Sequence, residues 1–336
     1  MRQVPITRYG PPEVLVPEEA PDPVPRAGEA RIRVRAAGVN FADILARIGL
    51  YPDGPKPPAV VGYEVAGTVD AIGGGVTGIA PGDRVIALTH FGGYADLAVT
   101  RASRVFRAPE SLSDTEAAAI PVTFLTAAVA LYKMANLSAG ETVLIHNAGG
   151  GVGIAAAQLA RLRRARIIGT ASAAKHHALA AFGVEHVVEY RDAEREVMAL
   201  TKGRGADVIL DPLGGDSFAA SYRMLAPLGR LVMFGMSAVV GGERRRLWRV
   251  FRAWRALPRF KPFSLISRNR GVFGLNLGHL WTEETQLGPV TEMLLAEFRS
   301  GRLRPVVAKT FPLEKAADAH RFLQNRSNIG KVVLTT

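Results

Sequence analysis

Along the first hundred residues the apolar positions recur with a period of two. In 30–39, ARIRVRAAGV, Ile32 and Val34 alternate with Arg31, Arg33 and Arg35, the pattern of a strand with one buried face. VGYEVAGTVDAIG (61–73) reads as a second extended stretch broken by glycines. PGDRVIAL (81–88) reads as a turn running into a strand. Short strands punctuated by Gly and Pro predict a compact, barrel-like β domain.

The period changes near residue 112. Ser113 precedes Glu116 at capping-box spacing, so a helix should begin there. The uncharged, strongly apolar stretch AAAIPVTFLTAAVALY (117–132) falls short of the roughly 20 residues of a membrane-spanning helix and contains Pro121, so it predicts a buried helix. From 142 onward strand-like and helix-like stretches alternate. The strands are TVLIHN, RIIGTA (166–171), HVVEY (186–190), ADVILDPLG (206–214), GRLVMFGMS (229–237) and GVFGLNLG (271–278). That alternation predicts a parallel sheet with both faces covered, and the tail ends in one more short strand.

Composition adds two exclusions. The 336 residues contain no cysteine, which rules out disulfides and every cysteine-ligated zinc or iron–sulfur centre. The first residues lack the apolar core of a secretion signal, so a cytoplasmic location is expected. The net charge of +12 is local: 243–270 holds ten Arg or Lys and one Glu, leaving +3 for the rest of the chain. The high pI therefore does not describe a nucleic-acid-binding fold, and no nucleic-acid partner is expected.

The chemistry is carried by the stretch after the strand at 141–146. Ala148-Gly149-Gly150-Gly151-Val152-Gly153 has the spacing of a dinucleotide fingerprint, with alanine in the first glycine place. Gly150 lets backbone approach a pyrophosphate. Gly153 lets the helix pack closely on the strand, and phosphates sit at the helix N-terminus, where amide N–H groups lack helical partners. An NAD site usually carries an acid about 20 residues on, but no Asp or Glu lies between Glu141 and Glu185. Ser172 and Lys175 occupy that region instead, a donor and a cation suited to a 2′-phosphate. They favour NADPH; the alternative is a helix-capping serine and a solvated lysine.

At this point the chain resembles a zinc-independent medium-chain dehydrogenase/reductase of the quinone oxidoreductase type. The resemblance rests on GVNFADILARIGLYP (38–52), VGYEVAGTV (61–69), TFLTAAVAL (123–131), AGGGVGIAAAQLA (148–160), DPLGG (211–215) and NIGKVVL (328–334). GTASAAKH (169–176) and RNRGVFGLNLGHL (268–280) are most similar to the vesicle amine transport protein-like branch. It implies an α/β protein of two domains: a chaperonin-10-like β-rich domain (1–118 and 300–336) and a Rossmann NADPH-binding domain (119–299), assembled as a homodimer. It also implies that Asn40 and Thr126 lie beside the nicotinamide, and that Ala148, Gly149, Gly150, Gly151 and Val152 hold the pyrophosphate. Ser172, Lys175 and Tyr190 would surround the adenosine phosphate. Leu213, Gly235 and Met236 would line the trough, and Phe273 and Leu275 would sit under the nicotinamide.

In the zinc enzymes of this superfamily a cysteine stands where Asn40 does and a histidine where Tyr63 does, so no metal is expected. Without a Lewis acid, alcohol oxidation is hard. A conjugated acceptor suits such a site better, because charge arriving with a hydride spreads onto an oxygen that hydrogen bonds stabilise. The reading is an NADPH-dependent reductase of a small lipophilic quinone or α,β-unsaturated carbonyl. Tyr63, Tyr51 and Asn40 are the candidate catalytic donors. Each has a plainer alternative: an aromatic wall, packing after the Gly49 turn, and a loop amide serving its own backbone.

One segment fits none of this. Leu247, Val250, Phe251, Trp254 and Leu257 fall at helical spacing among the basic residues of 244–261, Arg244, Arg245 and Arg246 included. A lid over a lipophilic substrate, a membrane-surface element contacting anionic lipid, and a core-facing helix with solvated arginines all remain open. The second would make the chain a cofactor-binding, membrane-associated protein with little reductase activity, peripheral at a membrane surface.

Overall fold

The computed structural model describes residues 1–239 and 247–336. The described chain divides into two compact units, one of Met1–Thr123 and Glu283–Thr336, the other of 124–239 and 247–282. The units divide at 123/124 and 282/283, so the helix Glu284–Arg299 goes with the first, although 119–299 would have put it in the second.

The first unit is built on a seven-stranded sheet. The strand Glu29–Val39 is its centre, pairing antiparallel with Glu64–Ile72, Leu97–Arg101 and Lys331–Thr335. Ile32 and Val34 are buried as their alternation requires, while Arg31 and Arg33 turn outward onto Asp70. Past Ala36 the alternation stops, and Ala36 to Val39 are all buried. The cause is a register shift between Val34 and Ala36, where the bulged strand turns, together with the tail strand that covers it from Val39 to Ala36. The tail holds two strands rather than one: Val307–Pro312 lies parallel to Lys331–Thr335.

The second unit holds six parallel strands in the order His186–Val188, Arg166–Thr170, Thr142–Ile145, Ala206–Asp211, Leu225–Met233, Gly271–Gly274. Numbered along the chain this order is 3-2-1-4-5-6, the doubly wound arrangement whose direction reverses beside its first strand. The helix at 117–132 is interrupted as Pro121 demands: Asp114–Ala118 ends, and Pro121–Ala128 starts anew and runs into a wider turn over Val129–Met134. Ser113 and Glu116 cap each other at the start. Among the described residues no helix is long and apolar enough to cross a membrane.

Candidate functional site

In the second unit all strands run the same way, so their carboxyl ends share one edge. Most of the residues expected around a dinucleotide follow directly on those ends. Ala148 to Val152 follow Thr142–Ile145; Ser172 and Lys175 follow Arg166–Thr170; Tyr190 follows His186–Val188. Leu213 follows Ala206–Asp211, Gly235 and Met236 follow Leu225–Met233, and Leu275 follows the strand that carries Phe273. The break in strand order beside Thr142–Ile145 is where such a sheet opens a crevice at this edge. Thr126 is buried on the helix Pro121–Ala128, and Asn40 belongs to the other unit.

Local geometry explains the glycines. A methyl on Gly153 would overlap the carbonyl of Asn147 and come within 2.7 Å of the Ala148 Cα, so the helix Gly151–Leu162 sits against the strand end with no room for a side chain. A methyl on Gly149 would lie 2.9 Å from Cδ of Lys175, so the lysine stem runs along the glycine turn. Tyr190 donates to Oδ1 of Asn147 at 3.5 Å. Ser172 is exposed and precedes the short helical turn Ala173–Lys175. A turn closed to side chains, helix amides at its far end and a cation alongside fit a dinucleotide diphosphate with an added phosphate.

In the first unit the candidate donors stand in different surroundings. Tyr63 is 4% exposed, its ring edge-on to Tyr51 at 6.1 Å and tilted against Phe91 at 4.9 Å. Burial, with the Tyr51 hydroxyl close by, pushes its phenol well above the ordinary value. The Tyr63 hydroxyl therefore stays protonated. Tyr51 is half-buried and joins the same aromatic group.

Asn40 starts the helix Phe41–Arg47, and its amide is held at both ends. Nδ2 donates to Glu64 at 2.8 Å, and Lys331 donates to Oδ1 while pairing with Glu64. The backbone N–H of Asn40 goes to Asp43, which also accepts from Gly62 N–H and from the Tyr94 hydroxyl. Tyr94 contacts His320, and His320 faces Arg47. The side chain of Asn40 thus serves Glu64 and Lys331 as well as the start of its own helix. Glu64, Lys331, Asp43, Arg47, Tyr94 and His320 were not chosen from the sequence as site residues. The one signal they gave was position: Glu64 follows Tyr63, and Lys331 lies within NIGKVVL.

These residues do not fit a zinc ion. The place between the Asn40 and Glu64 oxygens is taken by the ammonium of Lys331, and among the described residues no three His, Asp or Glu side chains are grouped as metal ligands.

The basic segment is the sharpest departure from a folded core. In the helix Leu247–Arg255, Trp248, Phe251 and Trp254 are 57%, 59% and 67% exposed, and Phe263 and Ile266 on the helix Pro262–Arg268 are exposed as well. The core-facing alternative fails for these three aromatics. Arg244, Arg245 and Arg246 lie outside the described residues.

Comparison with known proteins agrees with this architecture. Residues 26–110 match the alcohol dehydrogenase GroES-like domain, and 182–334 match the zinc-binding dehydrogenase family. The chain is 39% identical over 318 residues to the synaptic vesicle membrane protein VAT-1 homolog of Homo sapiens, covering 94% of this chain and 81% of that protein. Among solved structures, Escherichia coli quinone oxidoreductase complexed with NADPH superposes with a TM-score of 0.88 at 29% identity over 100% of both chains. CurK enoyl reductase superposes with 0.86 at 31% identity over 99% of this chain and 98% of that one. With a GroES-like domain, a parallel dinucleotide-type sheet and a relative matched over most of its length, the chain belongs to the medium-chain dehydrogenase/reductase family of oxidoreductases.

Proposed function

We propose that the chain is an NADPH-dependent reductase of a small lipophilic quinone or α,β-unsaturated carbonyl, working without a metal. The observation that carries the cofactor is Lys175 lying along the Gly149 turn at the strand edge, with no acid after the second strand. NADPH bound along that edge supplies the hydride. The chain's own residues would bind and orient it: Ala148 to Val152 would take the pyrophosphate, Ser172 and Lys175 the 2′-phosphate, and Leu213, Gly235 and Met236 the trough. Tyr63, kept neutral by burial, donates to the acceptor oxygen as charge arrives there, with Tyr51 beside it. The NADPH-bound quinone oxidoreductase and the enoyl reductase among its relatives support the same chemistry.

The test is NADPH oxidation by the purified protein across an ortho-quinone, a para-quinone and a long-chain enone, with NADH as control. Saturable turnover with NADPH and one acceptor is expected. Absence of turnover on all three, with NADPH still bound, would reject the reductase. The homodimer expected from the family has an edge to use, since Gly271–Gly274 ends the parallel sheet; light scattering after gel filtration measures it.

A second reading has its own observation: the exposed Trp248, Phe251 and Trp254 amid Arg252, Arg255, Arg259 and Lys261. Aromatic side chains that reach solvent beside cations are the pattern of an element lying at an anionic lipid surface. Under this reading the protein binds cofactor and associates peripherally with membrane.

A further inference from the structure

Beneath the strand edge of the second unit lies a line of buried polar groups that the fingerprint does not include. His146 and Asp211 are the residues where two neighbouring strands, Thr142–Ile145 and Ala206–Asp211, reach that edge. His146 is 4% exposed, and Asp211, Ser221 and Thr170 are fully buried. Asp211 Oδ2 accepts from Ser217 and from Ser221, each at 2.7 Å, and its Oδ1 accepts from the Leu213 amide at 2.8 Å. His146 spans from Ser221 Oγ, 3.0 Å from Nε2, to Thr170 Oγ1, 3.1 Å from Nδ1. Thr170 Oγ1 accepts the Asn147 amide at 3.2 Å.

The donors fix the direction of the whole line. Ser221 spends its proton on Asp211, so it must accept from His146, which places the ring proton on Nε2. Nδ1 is then an acceptor, filled by the Thr170 hydroxyl, and the Thr170 oxygen is left to accept the Asn147 N–H. With a neutral imidazole every group in the line has one consistent role. Burial holds His146 below its ordinary value against the pull of Asp211. At one end the line grips the backbone that begins the glycine turn. At the other it grips Leu213, in the loop after Asp211.

We propose that His146 is a positioning residue: through Thr170 and Ser221 it locks the Asn147 amide and the Leu213 amide into one register, so that the glycine turn and the 211–215 loop present a single rigid surface to the cofactor. The proposal rests on the dinucleotide reading of this edge. It assigns to His146, Thr170, Ser221 and Asp211 no contact with the cofactor and no part in hydride transfer. Their effect falls on affinity for a ligand long enough to touch both loops. A fragment that reaches only the adenosine end does not depend on the register.

The experiment uses Ser221→Ala, His146→Leu and the double variant. In the protein without cofactor, hydrogen exchange at the Asn147 amide is expected to quicken in Ser221→Ala, although Ser221 does not touch Asn147. NADPH affinity should fall about tenfold in each single variant, the scale of one lost buried link, and no further in the double, because a line already cut is not cut again. Affinity for 2′,5′-ADP should change much less. Unchanged Asn147 exchange in Ser221→Ala, or additive losses in the double variant, would overturn the proposal. Should His146→Leu fail to fold, the exchange and the NADPH titration of Ser221→Ala decide alone. A wild type that binds no NADPH would remove the dinucleotide reading itself, whereas a wild type that binds it and variants that bind equally well would remove only the positioning role.

Discussion

Lys175 and Lys331 show how differently one residue type is used. Lys175 is half-buried with its stem along Gly149, on the turn where a dinucleotide would lie. Lys175→Ala is expected to weaken NADPH binding about 10- to 100-fold and leave NADH nearly unchanged, as loss of a charge-assisted contact to one phosphate should. Parallel titrations of the two nucleotides check it, and equal weakening would sink the phosphate assignment. Lys331 is 4% exposed and its charge is spent inside the fold on Glu64 and Asn40. Lys331→Met leaves a buried carboxylate with no cation and is expected to cost about 3–5 kcal/mol, measured by urea unfolding. Adding Glu64→Leu should recover part of that loss. Lys175 was legible in the sequence because it sits at a set distance from a glycine motif. Lys331 was not, because nothing local to it announces a partner.

Among elements, the helices Gly151–Leu162 and Phe41–Arg47 were differently legible. The first announces itself by glycine spacing after an apolar strand. Gly153→Ala puts a methyl into the Asn147 carbonyl and is expected to cost about 1–3 kcal/mol and to impair NADPH binding; thermal unfolding and titration measure the two effects. The second is short, and its capping by Asn40 and Asp43 feeds a buried polar group that only the fold assembles. Burial raises Asp43 from 3.8 to about 7, against the amides and the Lys331 charge that favour its ionised form. A raised carboxyl holds a proton in the folded chain that the unfolded chain has lost. Its contribution is therefore complete below the ordinary value and is lost as the pH rises through about 7. The unfolding free energy of wild type minus that of Asp43→Asn should fall between pH 4 and pH 7, and a flat difference would contradict it. His320, packed against Tyr94 and Arg47, runs the other way: burial and the Arg47 charge hold it well below 6.5. It stays neutral in the fold, so its contribution is present above 6.5 and is lost as the pH falls below it.

For the molecule as a whole, the charge of +12 describes one segment rather than a surface, and the structure adds that this segment carries exposed aromatics. Removing such side chains should leave stability within about 0.5 kcal/mol, since they lie outside the core. If they serve a lipid surface, Phe251→Ala with Trp254→Ala lowers co-sedimentation with anionic vesicles, more so at high salt, and leaves neutral vesicles unaffected. Unchanged co-sedimentation would turn the segment away from lipid.

Apolar period, glycine spacing and the lack of an acid after the second strand are properties of a few neighbouring residues. From them the strand-rich first domain, the parallel sheet and the glycine turn could all be read. Composition likewise excluded cysteine chemistry before any fold was known. The buried polar groups are another matter. Val332 pairs with Val39 and Val65 with Ala37, and these two registers carry Lys331 and Glu64 to Asn40 from far along the chain. Parallel registers between three strands do the same for Thr170, His146 and Asp211. Burial, which fixes the protonation of Tyr63, Asp43, His146 and His320, also exists only once the strands are paired. Local pattern sets which elements form; the register of their pairing sets which charges meet out of water.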